Sequence, residues 1–192
     1  MRIGLISDSH VPAATRRVPE QVFRAFEGVE LILHAGDIYS EAALDELEAI
    51  APVIAVAGPG LDQGIPRPRV EDQRVLAVQG VHIGLVHILP LPGIRLDIVP
   101  GSILSELSPD TTLRASLRKV FRRDVDVCVF GDSHHEMIEQ HDGILMVNPG
   151  SPTLPHQFRR LGTVGILEIV EGSTTAQILH LAGFPGPEPS YR

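Results

Sequence analysis

Aromatic residues are scarce: six Phe, two Tyr and no Trp make up 4% of the 192 residues. A core built mainly of rings is therefore excluded, and Val, Ile, Leu and Ala must fill it, which favours strands packed with helices. Cysteine is reduced to Cys128, which excludes an intramolecular disulfide. Set inside Val125-Asp126-Val127-Cys128-Val129-Phe130, it reads as a small buried core residue. Lysine is nearly absent, and 24 acidic residues against 16 basic ones leave a formal charge of −8. That balance excludes a broad phosphate-backbone surface, which needs clustered Lys and Arg, so no nucleic-acid partner is expected. No apolar run reaches the length that spans a bilayer. The N-terminal run meets Asp8 too early for a secretory leader. The expectation is a soluble cytoplasmic chain without a membrane partner.

What the chain does have is 43% apolar residues in short runs that end in the same few polar types. Arg2-Ile3-Gly4-Leu5-Ile6-Ser7 leads to Asp8-Ser9-His10, and Leu31-Ile32-Leu33 to His34-Ala35-Gly36-Asp37. Val81-His82-Ile83-Gly84-Leu85-Val86 leads to His87, and the run ending at Phe130 to Gly131-Asp132-Ser133-His134-His135. One Asp after a strand is most simply a turn former or helix cap, and one His in an apolar stretch a core residue. Four strand ends carrying Asp or His point instead to convergence on one sheet edge, where open α/β folds place their sites. If the pleat continued past the first strand, Asp8 and His10 would project to one side and meet a single divalent ion.

A length of 192 residues suits one domain, able to bury roughly 70% of its unfolded surface without a structural metal. Helical spacing runs from Val18 to Gly28, and Ser40 caps a second helix with acidic residues in its first turn. With strands at 30–34 and 53–57 this predicts a βαβαβ opening on a parallel sheet. Hairpins come next: 73–79 with 81–87 across Gln79-Gly80, 136–140 with 144–147 across Asp142-Gly143, and 163–170 with 174–181 across Glu171-Gly172-Ser173. A helix is expected over Thr111–Arg123, preceded by a Pro/Gly-containing loop at 89–101. Site candidates come from both halves, which two sheets packed face to face with helices outside would satisfy. The expected domain is 1–183, with a loose Pro/Gly-rich tail at 184–192.

The ordered set DSH, HAGD, GLVH, GDSHH and Asn148-Pro149-Gly150-Ser151 resembles the calcineurin-like metallophosphoesterase superfamily, over Met1 to about Leu181. The likeness is to its small branch of bacterial and archaeal phosphodiesterases, which also contains the scaffold subunit of the retromer coat. The resemblance implies a four-layer α/β/β/α sandwich of two mixed sheets flanked by helices, holding two divalent ions bridged by one Asp. It implies Asp8, His10, Asp37 and His134 at the first ion. At the second it implies Asp37 and His87, with Asp132 standing where the family has an imidazole. Asp37, His87 and His134 are the expected catalytic group. The implied activity is a metal-dependent phosphoesterase, a phosphodiesterase by branch, acting on a small phosphate ester through a metal-activated water.

The chain departs from the family pattern in three places. Gly58 is followed by Pro59 instead of Asn, Asp132 replaces His, and Ile88 rather than Gly follows His87. A carboxylate ligand favours harder ions, so Mn²⁺ is expected, with Mg²⁺, Ni²⁺, Zn²⁺ or Fe²⁺ as alternatives. Asp62 and His135 are further candidates, either of them a candidate leaving-group acid. Arg67, Arg69 and Arg95 lie in loops that face either substrate or water. His34 reads as support for the site, and Asn148 to Ser151 as a turn bracing it. The departures also fit a rival reading, a partner-binding scaffold of the same fold with a decayed second site. A dinucleotide-binding domain is disfavoured, because DSHVPAAT stands where the glycine fingerprint belongs.

Overall fold

The computed structural model describes residues 1–91, 98–107 and 110–191. Its elements in chain order are β1 (Arg2–Ile6), α1 (Glu20–Ala25), β2 (Leu31–His34), α2 (Glu41–Glu48), β3 (Val53–Val56), β4 (Val70–Glu71), β5 (Gln73–Val78) and β6 (Val81–Val86). They continue with α3 (Ser102–Glu106), α4 (Leu113–Phe121), β7 (Val127–Val129), β8 (Met137–His141), β9 (Ile144–Asn148), β10 (Thr163–Val170) and β11 (Ser173–His180). One sheet has the order β11-β10-β1-β2-β3-β4 and the other β5-β6-β7-β9-β8. Both are mixed: β1, β2, β3 and β4 run parallel and β10 antiparallel to β1, while β6, β7 and β9 run parallel between antiparallel β5 and β8.

Alternation along the strands decides the layers. Ile3 and Leu5 of β1, Ile83 and Leu85 of β6, and Val127 and Val129 of β7 meet in a cluster between the two sheets. Their strand neighbours face outward. Ile6, Ile32 and Ile166 pack with Val22, Leu44 and Leu47 under α1 and α2. Cys128 and Met146 pack with Ile103, Leu117 and Phe121 under α3 and α4. Three apolar interfaces make four layers, the α/β/β/α sandwich expected from the resemblance. Two of the few aromatics key helices onto sheets at glycines. A Cβ on Gly4 would stand 3.1 Å from the Phe26 ring, and one on Gly84 only 2.6 Å from Phe121.

The division into a βα half and a hairpin half does not hold in space. The last hairpin returns to the first sheet, β10 pairing with β1 from Arg2↔Glu168 to Leu5↔Gly165. The first helix is shorter than its apolar spacing suggests, because Pro19 and Phe26 flank it with non-helical backbone. The fourth spans Leu113–Phe121, capped by the Thr112 hydroxyl accepting the Ala115 amide. At the other end of the chain, Thr15 bridges to Tyr191, and Gln21 Nε2 donates to the Pro187 carbonyl. Among the described residues no helix is long and apolar enough to cross a membrane.

Candidate metal centre

The loops after β1 and β2 run side by side, zipped by Asp8 N–H to Gly36 O (2.9 Å), His10 N–H to Asp37 O (2.9 Å) and Val11 N–H to Ile38 O (3.1 Å). The pleat does not carry Asp8 and His10 to a common side, since β1 stops at Ile6 and both residues adopt left-handed backbone (φ 53° and 49°). Asp37 (53°), Tyr39 (79°), Asp132 (73°) and His134 (57°) do the same. Left-handed non-glycine residues concentrated at a set of strand ends are a mark of functional sites, where surrounding bonds hold a strained backbone.

These backbones gather the side chains. His134 Nε2 lies 3.5 Å and His10 Nε2 4.0 Å from Asp8 Oδ1, and the two ring nitrogens are 3.1 Å apart. Asp37 faces two ways, Oδ2 toward His10 Nε2 (3.7 Å) and Oδ1 toward His87 Nε2 (3.5 Å). Asp132 Oδ1 is 3.8 Å from His87 Nε2. Among the described residues, Asp8, His10 and His134 form one group that could hold a metal ion, and Asp8, Asp37 and His87 another.

The donor set fits divalent cations. His87 Nδ1–H donates to the Ala35 carbonyl (2.7 Å) and His134 Nδ1–H to that of Leu154 (2.8 Å), so each turns an unprotonated Nε2 inward. Asp8 Oδ1, Asp37 Oδ1 and His87 Nε2 are buried without a hydrogen-bond partner. Such orphaned acceptors are costly unless a cation meets them. His34 is of another kind. It accepts the Gly36 amide at Nδ1 (3.2 Å) and donates from Nε2 to Ser9 Oγ (2.9 Å), which locks it as a neutral brace.

Protonation is shaped by the same burial. It pushes the Asp8 carboxyl up to about 7, against the pull of His87 and with a further push from Asp37 and Asp132. Asp37 is also raised, again mainly by burial. Burial, then His134 and His87, push His10 down to about 3. In the metal-free protein the carboxylic protons stabilise the fold at low pH, and that contribution is lost as pH rises from 3.8 to about 7. A bound cation reverses the sign, since it needs Asp8 ionised. The metal-induced rise in melting temperature is therefore expected to be small at pH 5.5, to grow through pH 6–7 and to level off above it. Calorimetric scans with and without Mn²⁺ check this, and proton release on binding, read by titration in buffers of different ionisation enthalpy, should follow the same curve.

Asp62 is placed beneath this group. Its Oδ1 accepts the amides of Ile38 (2.9 Å) and Tyr39 (2.7 Å), and its Oδ2 those of Gly58 (2.8 Å) and Ile38 (3.1 Å). Gly58 itself packs on Asp37, where a Cβ would overlap Oδ1. His135 stacks on His156 (4.2 Å between centroids, 13°), whose Nε2 pairs with Glu136 (3.0 Å). Asn148 Nδ2 donates to the Gly131 carbonyl (2.9 Å) and Ser151 Oγ to that of Asp8 (2.7 Å), tying the turn between β9 and β10 to two site loops. Arg67 is paired with Asp72, and Arg69 with Glu41, Asp45 and Glu48. Arg95 lies outside the described residues. Sequence reasoning missed Tyr39, whose ring stands 4.5 Å from that of His10. Its one signal was position, two residues past Asp37, as His10 is past Asp8.

Residues 1–172 match the family model of the calcineurin-like phosphoesterase superfamily domain. The chain is 36% identical over 157 residues to a probable metallophosphoesterase of Methanothermobacter thermautotrophicus, covering 81% of this chain and 79% of that protein. It is 24% identical over 168 residues to a phosphodiesterase of Methanocaldococcus jannaschii, covering 88% and 93%. In three dimensions it is similar to wild-type Vps29 of Entamoeba histolytica in complex with Zn²⁺, with a TM-score of 0.64 at 22% identity over 94% of this chain and 99% of that one.

Proposed function

The chain belongs to the calcineurin-like phosphoesterase superfamily, and from that premise we propose that it is a divalent-metal-dependent phosphodiesterase acting on a small phosphate ester. The observation that carries the proposal is the set of three buried, unpartnered acceptors on Asp8, Asp37 and His87. Asp8, His10, Asp37 and His134 would hold a first ion, and Asp37, His87 and Asp132 a second. When bound, such ions supply Lewis acidity at the phosphoryl oxygens and a water of lowered pKa.

The chain's own residues do the rest. The carbonyls of Ala35 and Leu154 fix the tautomers and directions of His87 and His134. Asp8, Asp37 and Asp132 repel a bare phosphate, so metal must bind before substrate. Asp132 is half-exposed, so an ion held there would remain open to solvent. It also supplies a hard oxygen, which supports Mn²⁺ over softer ions. Phosphoryl transfer asks little covalent chemistry of the protein, and positioning and charge suffice. The diester preference is supported by the relative named as a phosphodiesterase.

One observation favours a second reading, a scaffold with a single ion. Pro59 offers no donor atom, and three backbone amides occupy the Asp62 carboxylate, so the loop from Gly58 to Asp62 turns no free side-chain ligand toward the second ion. Metal-stripped protein reloaded with Mn²⁺ is expected to bind two ions and to hydrolyse an activated aryl phosphodiester, with activity lost to a chelator and regained on reloading. A single bound ion with no turnover in Mn²⁺, Ni²⁺, Zn²⁺ or Fe²⁺ overturns the enzyme reading in favour of the scaffold.

A further inference from the structure

Three site loops share one backbone pattern. Asp8 and His10, Asp37 and Tyr39, and Asp132 and His134 are pairs two residues apart in which both members are left-handed. In two loops the second member is a histidine of the metal group. In the third it is Tyr39, for which no motif claims a role. A bulky aromatic at φ 79° is a true outlier, and such a backbone persists only where its surroundings over-determine it. Here Asp62 does so, accepting the Tyr39 amide at 2.7 Å together with those of Ile38 and Gly58.

The ring so placed meets His10 edge-on, with centroids 4.5 Å apart and planes at 87°. His10 differs from the other inward-facing histidines. His87 and His134 are each oriented by a backbone carbonyl on Nδ1, the usual way a metal-ligating imidazole is aimed. Among the described residues His10 has no such carbonyl; its side-chain polar contacts, with His134, Asp37 and Asp8, are all made through Nε2, and the ring of Tyr39 packs against it.

We propose that Tyr39 is the positioning residue for His10, its ring replacing the hydrogen bond that would otherwise aim the imidazole, with Asp62 holding that ring in place through the Tyr39 amide. The inference rests on the reading of His10 as a metal-holding residue. The ring, not the hydroxyl, carries the effect. Outer partners of metal ligands are typically worth about 10–100-fold in affinity.

Three variants separate ring from backbone. Tyr39→Gly removes the ring and suits the left-handed backbone, so the metal-free chain stays folded with its native circular dichroism. Tyr39→Leu keeps bulk without a ring, and Tyr39→Phe keeps the ring without the hydroxyl. Calorimetric titration of each metal-stripped variant with Mn²⁺, with His10→Ala as reference, is expected to show Tyr39→Phe within about twofold of wild type. Tyr39→Gly and Tyr39→Leu should bind one ion about 10–100-fold more weakly and leave the other unchanged. Imidazole ¹⁵N spectra should show His10 alone losing its single tautomer in those two variants. Wild-type binding by Tyr39→Gly beside a weakened His10→Ala overturns the inference and leaves the metal reading standing. So does a Tyr39→Phe loss as large as that of Tyr39→Gly. Full binding of both ions by His10→Ala overturns the metal reading and the inference with it.

Discussion

Replacing Asp37 by Asn is expected to abolish turnover while leaving the metal-free protein more heat-stable than the wild type. Asp37 turns one oxygen to each candidate ion position, Oδ2 toward His10 and Oδ1 toward His87. An amide in its place halves the oxygen donors and removes the negative charge that would hold the ions. The loss in kcat/KM for an aryl phosphodiester should be at least ~10³-fold, equivalent to about 4 kcal/mol of transition-state stabilisation. Stability moves the other way. Asp37 is held against burial and the charges of Asp62 and Asp132, so neutralising it relieves the metal-free fold. A gain of about 1 kcal/mol would raise the melting temperature by roughly 2–4 °C in a domain of this size. Adding Mn²⁺ should then stabilise the variant far less than the wild type, because affinity sets that shift. Scanning calorimetry with chelator and with Mn²⁺, beside steady-state rates, reads all three changes. Equal turnover by variant and wild type would remove Asp37 from the centre.

Much of this architecture could be read from short-range signals, because the features concerned are local. The three hairpins turn at Gln79-Gly80, Asp142-Gly143 and Glu171-Gly172, and in each both turn residues have positive φ, the geometry that matches strand twist in two-residue loops. Strand ends bearing Asp and His were visible for the same reason. The sheet to which the last hairpin belongs was not visible. Pairing of Arg2 with Glu168 depends on a contact across most of the chain, and either sheet could have accepted apolar β10. Within the site, side-chain identities were legible and their partners were not. The groups that aim His87, His134 and the Tyr39 loop are the carbonyls of Ala35 and Leu154 and the amides that meet Asp62. Every residue carries a carbonyl and all but proline an amide N–H, so no residue pattern marks which will be used.

For Asp62 the partners decide the expected effect of a substitution. Asp62→Ala would strip the acceptor from the amides of Ile38, Tyr39 and Gly58, and two of these bonds lie fully inside the protein. An unsatisfied buried amide costs about 1–3 kcal/mol, so the expected loss in unfolding free energy is about 3–5 kcal/mol, a large share of the roughly 5–15 kcal/mol typical of a domain. The melting temperature should fall by roughly 10 °C or more. Asp62→Asn should fall between, since its single carbonyl oxygen can keep part of the set while its NH₂ group must face an amide N–H. Urea unfolding of the chelator-treated proteins measures this with no ion present. A side chain whose task was metal ligation would behave in the opposite way, leaving the metal-free protein as stable as wild type, or more so, and weakening only the response to Mn²⁺. The three amides bound to the carboxylate place the effect in the fold, where it should be seen before any ion is added.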